Sequence, residues 1–123
     1  MVVAALGFWG VSSVQAKLAE QDTSVVGQGT PTIVQVHEVT CAACVNLQRE
    51  TRAALATLED GDLNYRIAYL SSESGLAFAS EYGASYTTLL LFDGDGNLSR
   101  RIVGETPRNM LRAAFMAHIA AEN

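Results

Sequence analysis

Two cysteines, Cys41 and Cys44, stand three residues apart where one kind of sequence gives way to another. Before them, residues 32–39 (TIVQVHEV) alternate apolar and polar side chains and are rich in β-branched residues, which reads as a strand. From Cys41 onward, CAACVNLQRETRAALATLE favours helix, and Cys44, Leu47, Thr51, Ala54/Leu55 and Leu58 fall at three- and four-residue spacing on one face. The pair therefore sits at a strand-to-helix junction. A helix N-terminus offers unpaired backbone N–H groups and the positive end of the dipole, both of which favour an anion. Cys41 is expected to be the exposed nucleophile, with a pKa below the free value of ~8.5. Cys44, one turn deeper on the same face, is expected to attack the resulting mixed disulfide. Ala42 and Ala43 add neither charge nor bulk.

Two plainer uses of the pair fit less well. A disulfide closing so short a loop removes little unfolded-chain entropy. A zinc site usually needs four ligands, and only His37 and His118 remain as strong candidates, on separate elements.

The rest of the chain continues as alternating elements. Asp60-Gly61-Asp62 ends the helix, and residues 63–70 (LNYRIAYL) read as a second strand, parallel to the first across a βαβ unit. Ser71 to Ser74 offer caps for a short helix with Leu76, Phe78, Ala79 and Tyr82 facing inward. Residues 88–92 (TLLLF) form an apolar run expected to be a buried strand. Asp93-Gly94-Asp95-Gly96-Asn97 turns it into a hairpin with residues 98–103. Thr106-Pro107 starts a last helix as N-cap and first helical residue, with Met110, Leu111, Ala114, Phe115 and Ile119 as its apolar stripe. Asp93, Asp95 and Asn97 mimic the start of a calcium loop, but Leu98 replaces its glycine and Gly104 its closing glutamate.

Composition narrows the function. The 123 residues carry a net charge of −5, 49% are hydrophobic, and the eight basic residues form no run, so a phosphate-tracking nucleic-acid binder is excluded. Residues 2–14 (VVAALGFWGVSSV) hold no charge and are too short, at about 20 Å as helix, to cross a ~30 Å hydrocarbon core. They match the apolar part of a secretory leader, with Val14 and Ala16 as small residues before a cleavage site, although a basic stretch ahead of them is missing. Residues 1–16 are thus expected to be a signal peptide or the outer part of a membrane anchor, residues 17–31 a polar linker or irregular lead-in strand, and residues 32–123 the domain. That domain is expected in the periplasm or another extracytoplasmic space.

The order βαβ, short helix, β-hairpin, helix resembles the thioredoxin family over roughly residues 32–121. The carriers are TIVQVHEV running into Cys41-Ala42-Ala43-Cys44, then Tyr82-Gly83, TLLLF, the Asp-Gly turn, and Gly104 before the last helix. The resemblance implies an α/β fold with a central mixed sheet flanked by helices, and a monomeric thiol–disulfide oxidoreductase without a cofactor. Its partners would be protein thiols and disulfides and a separate recycling partner. Three positions depart from the family pattern. Gln35 stands where the family has a buried acid that accepts the proton of the resolving thiol, and Gln cannot take a proton. His37 replaces the family's aromatic. Thr87 stands where a cis-proline normally precedes the TLLLF-type strand; a cis bond there costs about 2.5–4 kcal/mol, so a trans bond is expected.

Tyr86 and Thr87 are therefore expected along the substrate-binding loop, with the Thr87 hydroxyl near the sulfurs and able to reach the Cys41 thiolate. Gln35 and His37 are expected to tune the thiolates. The competing reading is a metal-handling module, in which the two cysteines, with or without His37, present copper or an iron–sulfur cluster once the proline no longer shields them.

Overall fold

The computed structural model describes residues 15–122. Its sheet is built from β1 (Thr32–His37), β2 (Asn64–Tyr69), β3 (Thr88–Phe92) and β4 (Leu98–Val103), with α1 (Ala42–Leu55), α2 (Glu73–Glu81) and α3 (Arg108–Glu122) packed around it. Strand order is β2-β1-β3-β4. β1 pairs parallel with β2 in the register Ile33↔Tyr65 and Gln35↔Ile67, and antiparallel with β3 in the register Val34↔Leu90. The βαβ unit and the hairpin expected from the sequence are both present.

β1 is buried along its whole length, because it is an inner strand covered on both faces. Its alternation sorts side chains between two cores. Ile33, with Leu89 and Leu91 of β3, packs against Leu47, Ala54, Leu111 and Phe115 of α1 and α3. Val34 and Val36, with Leu90 and Phe92, pack on the other face against Ala79, Phe78 and Tyr82. Gln35 and His37 share the parity of Ile33, so the strand period sends them to the α1 side, toward the cysteines.

Two apolar stripes differ from expectation by one residue. Leu76 is exposed, and the buried face of α2 starts at Gly75 and continues through Ala79. A Cβ at Gly75 would lie 2.1 Å from the Tyr69 carbonyl oxygen, so α2 approaches the sheet along a face that only glycine permits. Met110 is likewise exposed, and α3 buries Leu111, Ala114, Phe115 and His118. There the carbonyl of Pro107 accepts from the N–H groups of Met110 and Leu111, so the helix begins one residue later than the sequence suggested. His118 Nε2 donates to the Phe92 carbonyl at 2.8 Å, a structural role.

The expected linker is docked on the domain. Residues 15–20 are helical and Thr23–Val25 form a 3-10 turn capped by Asp22. Glu20 pairs with Arg52 of α1 at 3.1 Å, and the Asp22 carbonyl accepts from Arg66 of β2. Gly29 N–H donates to the Gly94 carbonyl in the β3–β4 turn at 3.0 Å. The contact is glycine on glycine: a Cβ at Gly94 would sit 2.6 Å from the Gly29 carbonyl oxygen. The expected leader or anchor, residues 1–16, lies almost entirely outside the described residues; among those described, no helix is long and apolar enough to cross a membrane.

Gly94→Ala should break this junction and lower stability by about 1–3 kcal/mol, as overpacking does elsewhere. Urea unfolding checks it, and an unchanged midpoint would show that the lead-in adds nothing to the fold.

Candidate active site

The turn that carries β1 into α1 is closed by a Cys41 N–H to Glu38 carbonyl bond at 3.1 Å. Cys41 is the N-cap of α1, in extended backbone conformation, and its Sγ accepts the Cys44 N–H at 3.1 Å. One of the helix's unpaired donors is thus aimed at sulfur. Cys44 lies one turn on and is fully buried, whereas Cys41 remains partly accessible. Neither is in a disulfide.

The two sulfurs are held apart in acidity. The Cys41 thiol is held below its ordinary range, first by the hydrogen bond it accepts from the Cys44 thiol, then by the Thr87 hydroxyl and the N–H groups of Cys44 and Ala43. The Cys44 thiol is pushed up, chiefly by burial and next by donating its proton to Cys41. One thiolate, exposed, and one thiol, buried behind it, is the charge state this geometry favours.

Thr87 faces both. Its Oγ1 lies 3.1 Å from Cys44 Sγ and 3.5 Å from Cys41 Sγ, so the hydroxyl expected near Cys41 stands between the sulfurs and closer to the deeper one. The preceding peptide bond is trans, and Thr87 has a φ of +60°, the left-handed region. A β-branched residue there is strained by about 1–3 kcal/mol. Two backbone bonds hold it: Thr87 N–H donates to the Val36 carbonyl at 3.1 Å, and its own carbonyl accepts from Gly104 N–H at 2.8 Å. Gly104, at φ +92°, supplies a conformation that brings its N–H to this point. Tyr86 beside it is exposed, as are Val39 and Val103.

Gln35 and His37 act one step back from the sulfurs. Gln35 is fully buried; its Nε2 donates to the Cys44 carbonyl at 3.0 Å, and its Oε1 accepts from the Tyr65 hydroxyl at 2.5 Å. The second Nε2 hydrogen points at His37 Nδ1, 3.2 Å away. An amide nitrogen only donates, so Nδ1 accepts and the ring is neutral with its proton on Nε2. Gln35 therefore positions the α1 turn through the Cys44 carbonyl, with His37 and Tyr65 holding its amide, and the side-chain hydrogen bonds given for Gln35 and His37 reach neither sulfur. Tyr65 was not singled out in the sequence; the parallel register that sets Tyr65 beside Ile33 places it on the face of Gln35, and that parity was its available signal.

Among the described residues no group of three or more His, Cys, Asp and Glu side chains converges as a metal site. His37 Nδ1 is taken by the Gln35 amide.

Burial lowers the pKa of His37, Glu38 opposing and Arg52 reinforcing the shift. In an unfolded chain the ring takes its proton near pH 6.5, and in the folded chain it does so only at lower pH. Between these values the unfolded state binds more protons, so stability should fall as pH drops below about 6.5. His37→Gln should remove part of this loss. Urea midpoints at pH 7.5 and 5.5 measure it, and an equal loss in variant and wild type would contradict the buried neutral ring.

No protein-family model matches the chain, and no curated protein matches it. Solved structures do. The chain is similar to an uncharacterised thioredoxin-like protein from Clostridium perfringens, with a TM-score of 0.67 and 23% identity over 79% of this chain and 77% of that one. It is similar to Trxlp from Edwardsiella tarda EIB202, with a TM-score of 0.64 and 25% identity over 76% and 88%. It is also similar to the Malassezia sympodialis thioredoxin, with a TM-score of 0.65 and 20% identity over 77% and 82%. A mixed sheet in the order β2-β1-β3-β4, helices on both faces and a C-x-x-C pair where β1 meets α1 complete the likeness: the chain has a thioredoxin-like fold.

Proposed function

We propose that the chain is a thiol–disulfide oxidoreductase acting on protein dithiols or disulfides outside the cytoplasm, with Cys41 as the attacking and Cys44 as the resolving sulfur. The observation that carries the reading is the sulfur-capped helix: Cys41 Sγ accepts the Cys44 N–H at 3.1 Å while Cys44 is buried directly behind it. Attack needs an exposed thiolate, and resolution needs a second sulfur within one helical turn. The thioredoxin-like neighbours support the same chemistry.

The extracytoplasmic setting rests on the uncharged apolar run of residues 2–14. The substrate is an extended chain laid across Tyr86, with exposed Val39 and Val103 giving apolar contact near the pair. Thr87 cannot lend its backbone to that chain, because its N–H and carbonyl are already bonded to Val36 and Gly104. Binding is therefore weak and broad, and the chain works as a monomer, recycled by a separate redox partner and needing no cofactor.

A protein starting near Lys17 should reduce the disulfides of a protein substrate such as insulin in the presence of dithiothreitol. Cys41→Ser should abolish turnover, and Cys44→Ser should accumulate mixed disulfides visible on a non-reducing gel. Full activity in Cys41→Ser would overturn the assignment. The reduction potential then gives the direction of flow, about −270 mV for a reductant and about −120 mV for an oxidant.

A further inference from the structure

Resolution of a mixed disulfide poses a proton problem that this site must solve without a carboxylate. In the resting pair, the Cys44 thiol donates to the Cys41 thiolate. Once Cys41 Sγ is bonded to a substrate sulfur, that anion is gone, and Cys44 must still lose its proton to attack. Gln35 is no help: it carries no acid, and its amide is committed to the Cys44 carbonyl, His37 and Tyr65. Among the described residues, a side-chain oxygen within hydrogen-bond reach of Cys44 Sγ is Thr87 Oγ1, at 3.1 Å, and the same oxygen is 3.5 Å from Cys41 Sγ.

We propose that Thr87 is a catalytic residue, a hydroxyl that donates to Cys44 Sγ and stabilises its thiolate for resolution. This rests on the dithiol–disulfide exchange proposed above. Cys44 S–H loses its proton to solvent, and the Thr87 O–H donates to the thiolate that remains. The Cys44 sulfur attacks Cys41 Sγ, the Cys41–substrate S–S bond breaks, and the Cys41–Cys44 S–S bond forms. The electron pair of the broken bond leaves with the substrate sulfur, which takes a proton from solvent and departs as a thiol. The cysteine pair is oxidised and the substrate disulfide reduced, one proton released and one taken up.

Two features fit a hydroxyl kept for this task. Both backbone groups of Thr87 are tied to Val36 and Gly104, so the hydroxyl is what the residue presents to the pair. A β-branched residue at φ +60° is held there against its own preference, which fixes the oxygen between the sulfurs and limits its freedom to turn away.

The test is a single turnover of the reduced chain with oxidised glutathione, followed by acid quench and mass spectrometry. Wild type should form the Cys41–glutathione mixed disulfide and resolve it. Thr87→Val, which keeps the shape and the β-branch, should still form it but resolve it at least about tenfold more slowly near pH 7. The deficit should shrink as pH rises and solvent deprotonates Cys44. Thr87→Ser should resolve it near the wild-type rate. Wild-type resolution in Thr87→Val, or a Thr87→Ser as slow as Thr87→Val, would overturn this role of the hydroxyl while leaving the exchange reading intact. A wild type that forms no mixed disulfide at all would instead overturn the exchange reading, and the role of Thr87 with it.

Discussion

A helix beginning at Ala42 leaves its first N–H groups without carbonyl partners, and here a sulfur takes one of them. That single capping bond sets the rest of the site. It holds the Cys41 sulfur at the helix N-terminus, where the dipole favours its anion, with Cys44 three residues on, inside the core. The acidity of the outer sulfur then comes first from the Cys44 thiol and the Thr87 hydroxyl, with the capping N–H adding to them, while burial keeps the inner one protonated. A cap made by serine or aspartate would satisfy the helix equally well. A cap made by cysteine also leaves a nucleophile.

The strand beneath holds this turn with a polar triad instead of a charge. Gln35, Tyr65 and His37 satisfy one another and fix the Cys44 carbonyl, so the wall below the pair is hydrogen-bonded and uncharged. A buried acid there could take the Cys44 proton; an amide cannot, and stabilisation of the Cys44 thiolate passes to the opposite wall, where Thr87 stands. The two departures from the thioredoxin pattern, Gln35 and Thr87, are thus linked: one removes a proton acceptor and the other sets a hydroxyl against the same sulfur.

Much of this could be read along the chain. The β-branched run before Cys41 and the helical spacing after it placed the pair at its junction, and TLLLF marked the inner antiparallel strand. What could not be read depends on close approach. Gly75, not Leu76, faces the sheet because α2 comes within contact of the Tyr69 carbonyl, and periodicity alone favours the larger apolar side chain. The lead-in looked like a tether because it is polar; glycines at both Gly29 and Gly94 let two backbones meet there, a pairing between segments distant in the sequence. The Thr87 hydroxyl was expected near Cys41, but its closer contact with Cys44 spans 43 residues and rests on a positive φ that no propensity for threonine suggests.

The central claim is that the helix cap, the Thr87 hydroxyl and burial together split two cysteines of the same motif into a thiolate and a thiol. Alkylation of the reduced chain with iodoacetamide across pH, with each cysteine resolved by peptide mass spectrometry, measures it directly. Cys41 should react with a midpoint below the free value of ~8.5 and Cys44 only well above it. Two cysteines titrating together near the free value, or Cys44 reacting first, would contradict it.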